Sequence, residues 1–405
     1  MLVGAALIPG YASGSASQRC SRPGCGSAGQ IRWIRRLSGS WTAEGGIVGT
    51  VPAAGQAFVA AGPQVAALGS GTQVSAYADR TGQVLWSAAL TGFPAGASIV
   101  SVRSWPAVVT AGVTFPDPGS GAMVREEVVL DGQTGRQVRA YPAAAYGGAV
   151  GADRSRTVIV GTKSVTGYDN ATGRPAWSQP TGPEPQAWRV NDGSLYVTVA
   201  AGGYLGTAPV TALRQISLAT GRMRLIRPAR GSYAGTLSAV FDGVLLFSGS
   251  AGLSAYSEAT GDLLWQRAGV VPESEDPVRR TLYVTGGAGL AATGLTGLNP
   301  RTGAVKGPPV AGSSGLYAVR SGVALGLDQG ALGDAWGYDV AARRVVWTTP
   351  PLPWPHFFVD LSGIGGSADP SSRTVLLAAC TALGARAASG NGQVCLRPEL
   401  VAISR

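Results

Sequence analysis

Histidine is nearly absent: His356 is the only one in 405 residues. A site that needs two histidines is excluded, and metal catalysis in general is disfavoured. His356 sits in the aromatic, proline-rich stretch Pro353-Trp-Pro-His-Phe-Phe358, which reads as a loop or strand start with a packed or surface imidazole. Lysine is almost as scarce. Lys163 and Lys306 are the only two, so the net charge of +10 rests on arginine. Small clusters occur at Arg32, Arg35 and Arg36 and at Arg222, Arg224, Arg227 and Arg230, but arginines are otherwise spread along the chain. Nucleic-acid readers concentrate positive charge on one face, so a distributed, solvated surface is expected here, with no nucleic-acid partner. No phosphate-cradling GxxxxGK[ST] loop, strand-linked GxGxxG or nucleophile elbow is convincing. The glycine-rich Gly202-Gly203 and Gly286-Gly287-Ala-Gly289 follow strand-like runs and fit turns or bulges.

Cysteine is limited to four residues in two local pairs, Cys20 with Cys25 and Cys380 with Cys395. An even count in close pairs suits disulfides in an oxidising compartment. Zinc is the competing reading, but neither pair has CxxC spacing. The apolar run at Met1 to Tyr11 is too short to span a bilayer, which needs about 20 residues. It resembles the end of a signal-peptide apolar region without its basic flank. Residues 1–30 are therefore expected to be a truncated leader or anchor with a flexible linker, giving a possible membrane tether and an extracytoplasmic, secreted or envelope-anchored location.

Sustained helical periodicity is missing too, whereas short β-branched runs recur beside 61 glycines and 26 prolines. Many tight turns between strands follow, so the fold class is all-β. One unit repeats. Leu253-Ser-Ala-Tyr-Ser-Glu-Ala-Thr-Gly-Asp-Leu-Leu-Trp265 is two alternating runs joined by a turn, and Val74 to Trp86 is a near-copy. The apolar anchors Tyr77, Leu130, Tyr168, Ile216, Tyr256 and Leu298 each precede a Thr-Gly pair by four residues, ending in Gly82, Gly135, Gly173, Gly221, Gly261 and Gly303. Tyr338 is a seventh anchor, with Ala342-Arg343 in place of Thr-Gly. Nine residues past the anchor stand Trp86, Trp177, Trp265 and Trp347, while Arg139, Leu225 and Gly307 fill the other copies.

Anchor separations of 53, 38, 48, 40, 42 and 40 residues, with another strand-like run upstream of each hairpin, fit a β-propeller with one four-stranded sheet per blade. Solenoid repeats are shorter, and paired sandwiches would not hold a fixed nine-residue offset. At the end of the chain Leu400-Val-Ala-Ile403 repeats the anchor pattern and stops, while Ile31-Arg-Trp33 supplies a Trp strand with no hairpin before it. Joined, they give an eight-bladed β-propeller over residues 31–405 whose N-terminal strand closes the last blade, and a monomeric ring is expected. Asp131, Asp169, Asn299 and Asp339 stand one residue after their anchors, where a carboxylate or amide can bond the backbone ahead and start the turn. Each Trp, including Trp33, is expected to pack against the neighbouring blade.

The unit resembles the tryptophan-docking repeat of the pyrroloquinoline-quinone (PQQ) repeat superfamily, Ala-x-Asp-x-x-x-Gly-Lys-x-x-Trp. Gly167-x-Asp169, Gly173-Arg174 and Trp177 match all but the alanine, with arginine for lysine. Ala76, Gly82 and Trp86, like Ala255, Gly261 and Trp265, match without the aspartate, and Asp339 with Trp347 without the glycine. The resemblance implies an eight-bladed propeller and two functional branches. Quinoprotein dehydrogenases hold PQQ and calcium and carry a vicinal disulfide, but this chain has no adjacent cysteines. The other branch, such as the lipoprotein of the outer-membrane β-barrel assembly machinery, binds protein partners through loops and one face.

The expectation is a non-catalytic scaffold with no cofactor. Its contacts would come from the loops Phe115 to Arg125, Ala200 to Pro209, Ser362 to Ser372 and 381–394. The alternatives are a PQQ-dependent dehydrogenase and a propeller binding a carbohydrate or cell-wall polymer.

Overall fold

The computed structural model describes strands between residues 31 and 404, with side chains and most turns described between residues 73 and 347. Residues 1–30 and several connections, including 201–208, 287–294, 309–315, 328–334 and 361–373, lie outside the described residues. Every regular element described is a β-strand, so the chain is all-β.

Eight small antiparallel sheets follow one another along the chain. The first consists of Val48–Val51, Ala57–Ala61, Gln73–Ala78 and Val84–Ala89, paired in sequence order. The second (Ser98–Ser104, Val108–Pro116, Met123–Asp131, Gln137–Ala143), the third (Gly148–Gly151, Arg156–Val160, Ser164–Asp169, Pro175–Pro180) and the fourth (Trp188–Asn191, Ser194–Ala200, Val210–Ser217, Met223–Ile226) repeat that meander. So do the fifth (Thr236–Phe241, Val244–Gly249, Gly252–Ser257, Leu263–Arg267) and the seventh (Leu316–Arg320, Val323–Leu327, Ala335–Asp339, Arg344–Thr348). In the eighth, His356–Asp360 pairs Thr374–Cys380, which pairs Pro398–Ser404, and the outer strand is Ile31–Arg36 from the other end of the sequence. Its register places Ile31 opposite Ile403.

Two sheets depart from the expected pattern. The sixth has three strands, Val270–Asp276, Thr281–Gly286 and Thr296–Leu298. After its turn the chain makes only a single bridge, Leu298 to Val305, and Gly307-Pro308-Pro309 follows. Pro308 has no backbone N–H to donate to a ladder, and the pairing begun at Val305 is not extended through it. The 381–394 segment, expected as a loop, contributes Leu383–Arg386 and Gln393–Cys395, which join Trp41–Thr42 in a small additional sheet.

The core is divided into layers between successive sheets. Val74, Ala76 and Trp86 pack with Ile99, Ala111 and Leu130 across the first and second sheets. Tyr196 and Leu213 pack with Leu237 and Phe247 across the fourth and fifth, and Leu246 and Ala255 with Leu282 and Leu298 across the fifth and sixth. A strand covered on both faces must be apolar on both. The second strands accordingly bury four residues in a row, Thr157 to Val160, Leu195 to Thr198, Val244 to Phe247 and Thr281 to Val284. Outer strands cover alternate positions, as in Pro175–Pro180, where Trp177 and Gln179 are half-buried and the others exposed. That is why the sequence shows short apolar runs upstream of each hairpin and alternation within it.

Candidate functional site

The turn that follows the third strand is built alike in the second, third and sixth sheets. Asp131 accepts at Oδ1 from the Gln133 and Thr134 amides (3.0 and 2.8 Å) and from the Thr134 hydroxyl (2.8 Å), while the Gly135 amide donates to the Asp131 carbonyl (2.9 Å). Asp169 is bonded in the same way by the amide and hydroxyl of Thr172, and Asn299 by the amides of Arg301 and Thr302. In the seventh sheet Asp339 accepts from the amides of Ala341 and Ala342. Ser217 and Ser257 take the position in the fourth and fifth sheets, each accepting one amide at 3.3 Å. Burial raises the Asp131 pKa, but hydrogen bonds from Thr134 and Gln133, with Arg136 nearby, outweigh it and hold the carboxyl below its usual value. Asp169 is likewise held low by the Thr172 amide and hydroxyl. These carboxylates are occupied with their own turns.

The turn glycine lies under a side chain from the preceding sheet. Gly135 has φ +72°, which an L-residue rarely adopts, and a Cβ there would enter the ring of Trp86. Gly221 lies in the same way under Trp177, Gly303 under Trp265 and Gly173 under the guanidinium of Arg139. Trp86 donates its Nε1–H to the carbonyl of Gly132 (3.1 Å), and Trp265 to that of Pro300 (2.7 Å). Both acceptors are the second residue of the neighbouring turn. Arg267 adds two bonds to the Gly303 carbonyl, at 3.1 and 2.9 Å.

Between the fourth and fifth sheets, where Leu225 replaces Trp and is 40% exposed, a polar network takes over. Arg224 donates through Nη2 to the carbonyl of Glu258 (3.1 Å), again the second residue of the turn, and through Nε to Gln215 Oε1 (2.9 Å). Gln215 Nε2 donates to the Tyr196 hydroxyl (2.9 Å) and to Glu258 Oε1 (3.1 Å), and the Tyr196 hydroxyl donates to the same oxygen (2.8 Å). Burial, then the Glu258 carboxylate, pushes the Tyr196 pKa up, so this phenol stays a donor. The network opens onto a cleft of about 290 Å³ lined also by Asp192, Phe241 and Asp242.

One feature of these joints had escaped the sequence reading. In the first, second, third, fifth and seventh sheets the ladder slips by one residue just before the docking position: Tyr256 faces Leu263, but Ala255 faces Trp265. Such a β-bulge re-aims the next side chain. The fourth sheet pairs regularly, Ile216 with Met223 and Gln215 with Arg224, and has no Trp. The nine-residue offset carried the signal, since a regular ladder through Tyr256 and Leu263 would set residue 264 opposite Ala255.

Two docking residues behave differently. The Nε1 atoms of Trp177 and Trp347 are buried without a hydrogen-bond partner. Both indoles lie over a glycine of their own sheet, Gly167 or Gly337, where a Cβ would enter the ring. Ala76 and Ala255 hold that position for Trp86 and Trp265. The absent methyl lets the ring settle over its own strand.

Among the candidate loops, Phe115 to Arg125 forms the end of a hairpin made from two nine-residue strands, the longest among the described residues. Asp117 builds its tip by accepting from the amide and hydroxyl of Ser120 (3.1 and 2.6 Å), and the Ser120 hydroxyl and these amides hold its pKa low. Met123 beside the tip is 66% exposed. Arg125 and Glu127 pair at 2.6 Å in its base, both largely buried. Ser362 to Ser372 lies outside the described residues, as do residues 201–208 of the Ala200 to Pro209 segment. The side chains of Trp33, His356, Cys380 and Cys395 lie outside them as well, together with Gly82, Cys20 and Cys25. No three His, Cys, Asp or Glu side chains among the described residues are grouped to hold a metal.

The family model described as outer membrane protein assembly factor BamB matches twice, over residues 70–232 and 161–348, together more than half of the chain. This chain belongs to the BamB family. Two overlapping matches are what a repeating unit produces. BamB from Moraxella catarrhalis is 16% identical, with 75% of this chain and 83% of that one covered at a TM-score of 0.42. The computationally designed Ika8 protein covers 92% of this chain and 100% of its own at 11% identity and a TM-score of 0.54. A eukaryotic initiation factor covers 86% and 83% at 14% identity and 0.52. At these identities the last two speak to fold alone. Comparison with curated proteins gives no match.

Proposed function

We propose that this chain is a non-catalytic, eight-bladed propeller that works outside the cytoplasm as a protein-interaction scaffold. Membership of the BamB family carries the reading, because that family is described as an assembly factor. The eight consecutive sheets, with Ile31–Arg36 completing the last, support a ring of eight blades closed by its two ends. Closure would pair strand edges that otherwise invite aggregation.

Rigid joints suit a scaffold, since a frame fixed by docked side chains presents its loops in one geometry. The described element best placed for a partner is the long second-sheet hairpin, with Met123 exposed beside a tip fixed by Asp117. We place a disulfide between Cys380 and Cys395, at the base of the Leu383–Arg386 and Gln393–Cys395 excursion, and a second between Cys20 and Cys25. The backbone supports the first: Cys380 pairs with Pro398, three residues beyond Cys395.

The test is photocrosslinking in cells from position 123. Discrete adducts to an envelope protein that disappear when the hairpin tip is replaced are expected. Saturable binding of PQQ with calcium and dye-linked dehydrogenase activity, without such adducts, would overturn the reading.

A further inference from the structure

A cleft of about 380 Å³ between the fifth and sixth sheets brings Arg279, Arg280, Arg301 and Lys306 together around one carboxylate, Asp242. Asp242 is the only carboxylate in the lining, and Asp276, which accepts the Arg279 amide at Oδ1 (3.1 Å), stands beside Arg279, so the four cations keep an excess of two positive charges. Each element is held in place. Lys306 Nζ donates to the carbonyls of Arg279 and Arg280 (3.0 and 3.1 Å) and to the Thr281 hydroxyl (3.3 Å). Arg301 belongs to the turn that Trp265 and Arg267 clamp from the fifth sheet. It directs Nε to the Asp242 carbonyl at 3.1 Å and to the Asp242 carboxylate at 3.5 Å. Arg280 Nε lies 3.7 Å from the same carboxylate.

Both guanidiniums therefore use their Nε edge on Asp242 and are 74% and 63% exposed, and no hydrogen bond among the described residues involves their Nη atoms. Arg280 and Asp242 also hold φ at +47° and +52°, although neither is glycine. At Asp242 this is the Asp-Gly turn of the hairpin that pairs Phe241 with Val244, which Asp192-Gly193 repeats in the fourth sheet, so the turn fixes where the Asp242 carboxylate stands. Like charges fixed side by side repel unless a counter-ion joins them, and paired guanidinium forks match the oxygens of an oxoanion.

We propose that this cleft binds a phosphate group, with the Nη atoms of Arg280 and Arg301 gripping its oxygens and Asp242 acting as a resident anion that orients them. A doubly charged, tetrahedral group answers an excess of two positive charges better than a single planar carboxylate. A soluble phosphate monoester and the phosphomonoester headgroup of a lipid present the same chemistry. This inference is independent of the scaffold reading.

Inorganic phosphate titrated by calorimetry is the first probe, and cosedimentation with equal-part phosphatidic acid–phosphatidylcholine vesicles the second. Saturable binding in either is expected, and the arm that responds more strongly identifies the source. Arg280→Gln removes no backbone contact and should weaken binding roughly 10- to 100-fold, the value of a hydrogen bond to a charged group, with Tm unchanged. Asp242→Asn, which tolerates the same φ, should strengthen it several-fold. Absence of binding in both arms, wild-type affinity in Arg280→Gln, or weaker binding in a folded Asp242→Asn protein would each overturn the proposal.

Discussion

Gly135→Ala tests the docking geometry directly, because the second sheet contains its own control. Gly121 closes the turn at the other end of the same strand, Met123–Asp131, with φ +69° and its amide bonded to the Asp117 carbonyl at 2.8 Å. Gly135 has φ +72° and the matching bond to Asp131 at 2.9 Å. The two differ in their surroundings: nothing lies within 4 Å of a Cβ at Gly121, whereas one at Gly135 meets the Trp86 ring. Both substitutions carry the left-handed penalty, about 1–2 kcal/mol. Gly135→Ala must also displace an indole that is only 8% exposed. That forfeits its bond to Gly132, about 1 kcal/mol, and about half of the 3–5 kcal/mol that deleting a buried aromatic costs. The total is about 4–5 kcal/mol against about 1–2 for Gly121→Ala. Urea unfolding of both variants gives the difference, and adding Trp86→Ala to Gly135→Ala should cost much less than Trp86→Ala alone. Equal destabilisation by the two alanines, or additivity in the double variant, would refute the docking argument.

Trp265→Phe should lose about 1 kcal/mol, the Nε1 bond to Pro300, and Trp265→Ala about 3 kcal/mol, the low end for a buried aromatic because this ring is only partly covered, both read from urea midpoints. Arg224→Ala should cost about 1–2 kcal/mol through its bonds to Gln215 and the Glu258 carbonyl, with little dependence on salt, since its ion pair is long and half exposed. The Asp131 carboxyl is held below its unfolded value, so its stabilisation is fully present above about pH 4 and disappears as pH falls through the lower folded value. Asp131→Asn keeps the acceptor oxygen without that titration, so its urea midpoint should fall less than the wild type's between neutrality and about pH 3. Peptide mapping without reductant should recover Cys380 linked to Cys395, and free thiols there would remove the disulfide from the proposal.

The repeat was legible because it is a pattern of spacing. Anchors, turn acids, glycines and upstream strand runs all recur at offsets that secondary structure makes obligatory, and the all-β class follows from them. The pairing of Ile31–Arg36 with Pro398–Ser404 was legible as well, as two incomplete units at the ends. The three-stranded sixth sheet was hidden, since Thr302-Gly303 keeps the turn and only the prolines after Gly307 mark the missing strand. Arg139 and Leu225 both read as lost tryptophans. In the fold one lies flat over Gly173, while the other leaves its junction to Arg224, a residue with no place in the motif. The cationic cleft was illegible for a different reason: Asp242, Arg280 and Arg301 come from three turns in two sheets, and no spacing rule brings them together.

The joints also separate what the repeat needs from what it leaves free. At three junctions the carbonyl of the second turn residue receives a donor from the sheet before it, from Trp86, Arg224 or Trp265. The requirement is therefore a donor at that point and a flat group over the turn glycine, and tryptophan is one way of meeting both. Where the alanine beneath the indole becomes Gly167, the Trp177 donor is withdrawn while its contact with Gly221 remains, so the two requirements are separable. Degenerate copies can then persist, because each of the five junctions from the first sheet to the sixth keeps at least one of the two. The turn positions that face neither contact are free to carry charge, and it is there, at Arg280 and Arg301, that the cleft between the fifth and sixth sheets acquires its positive field.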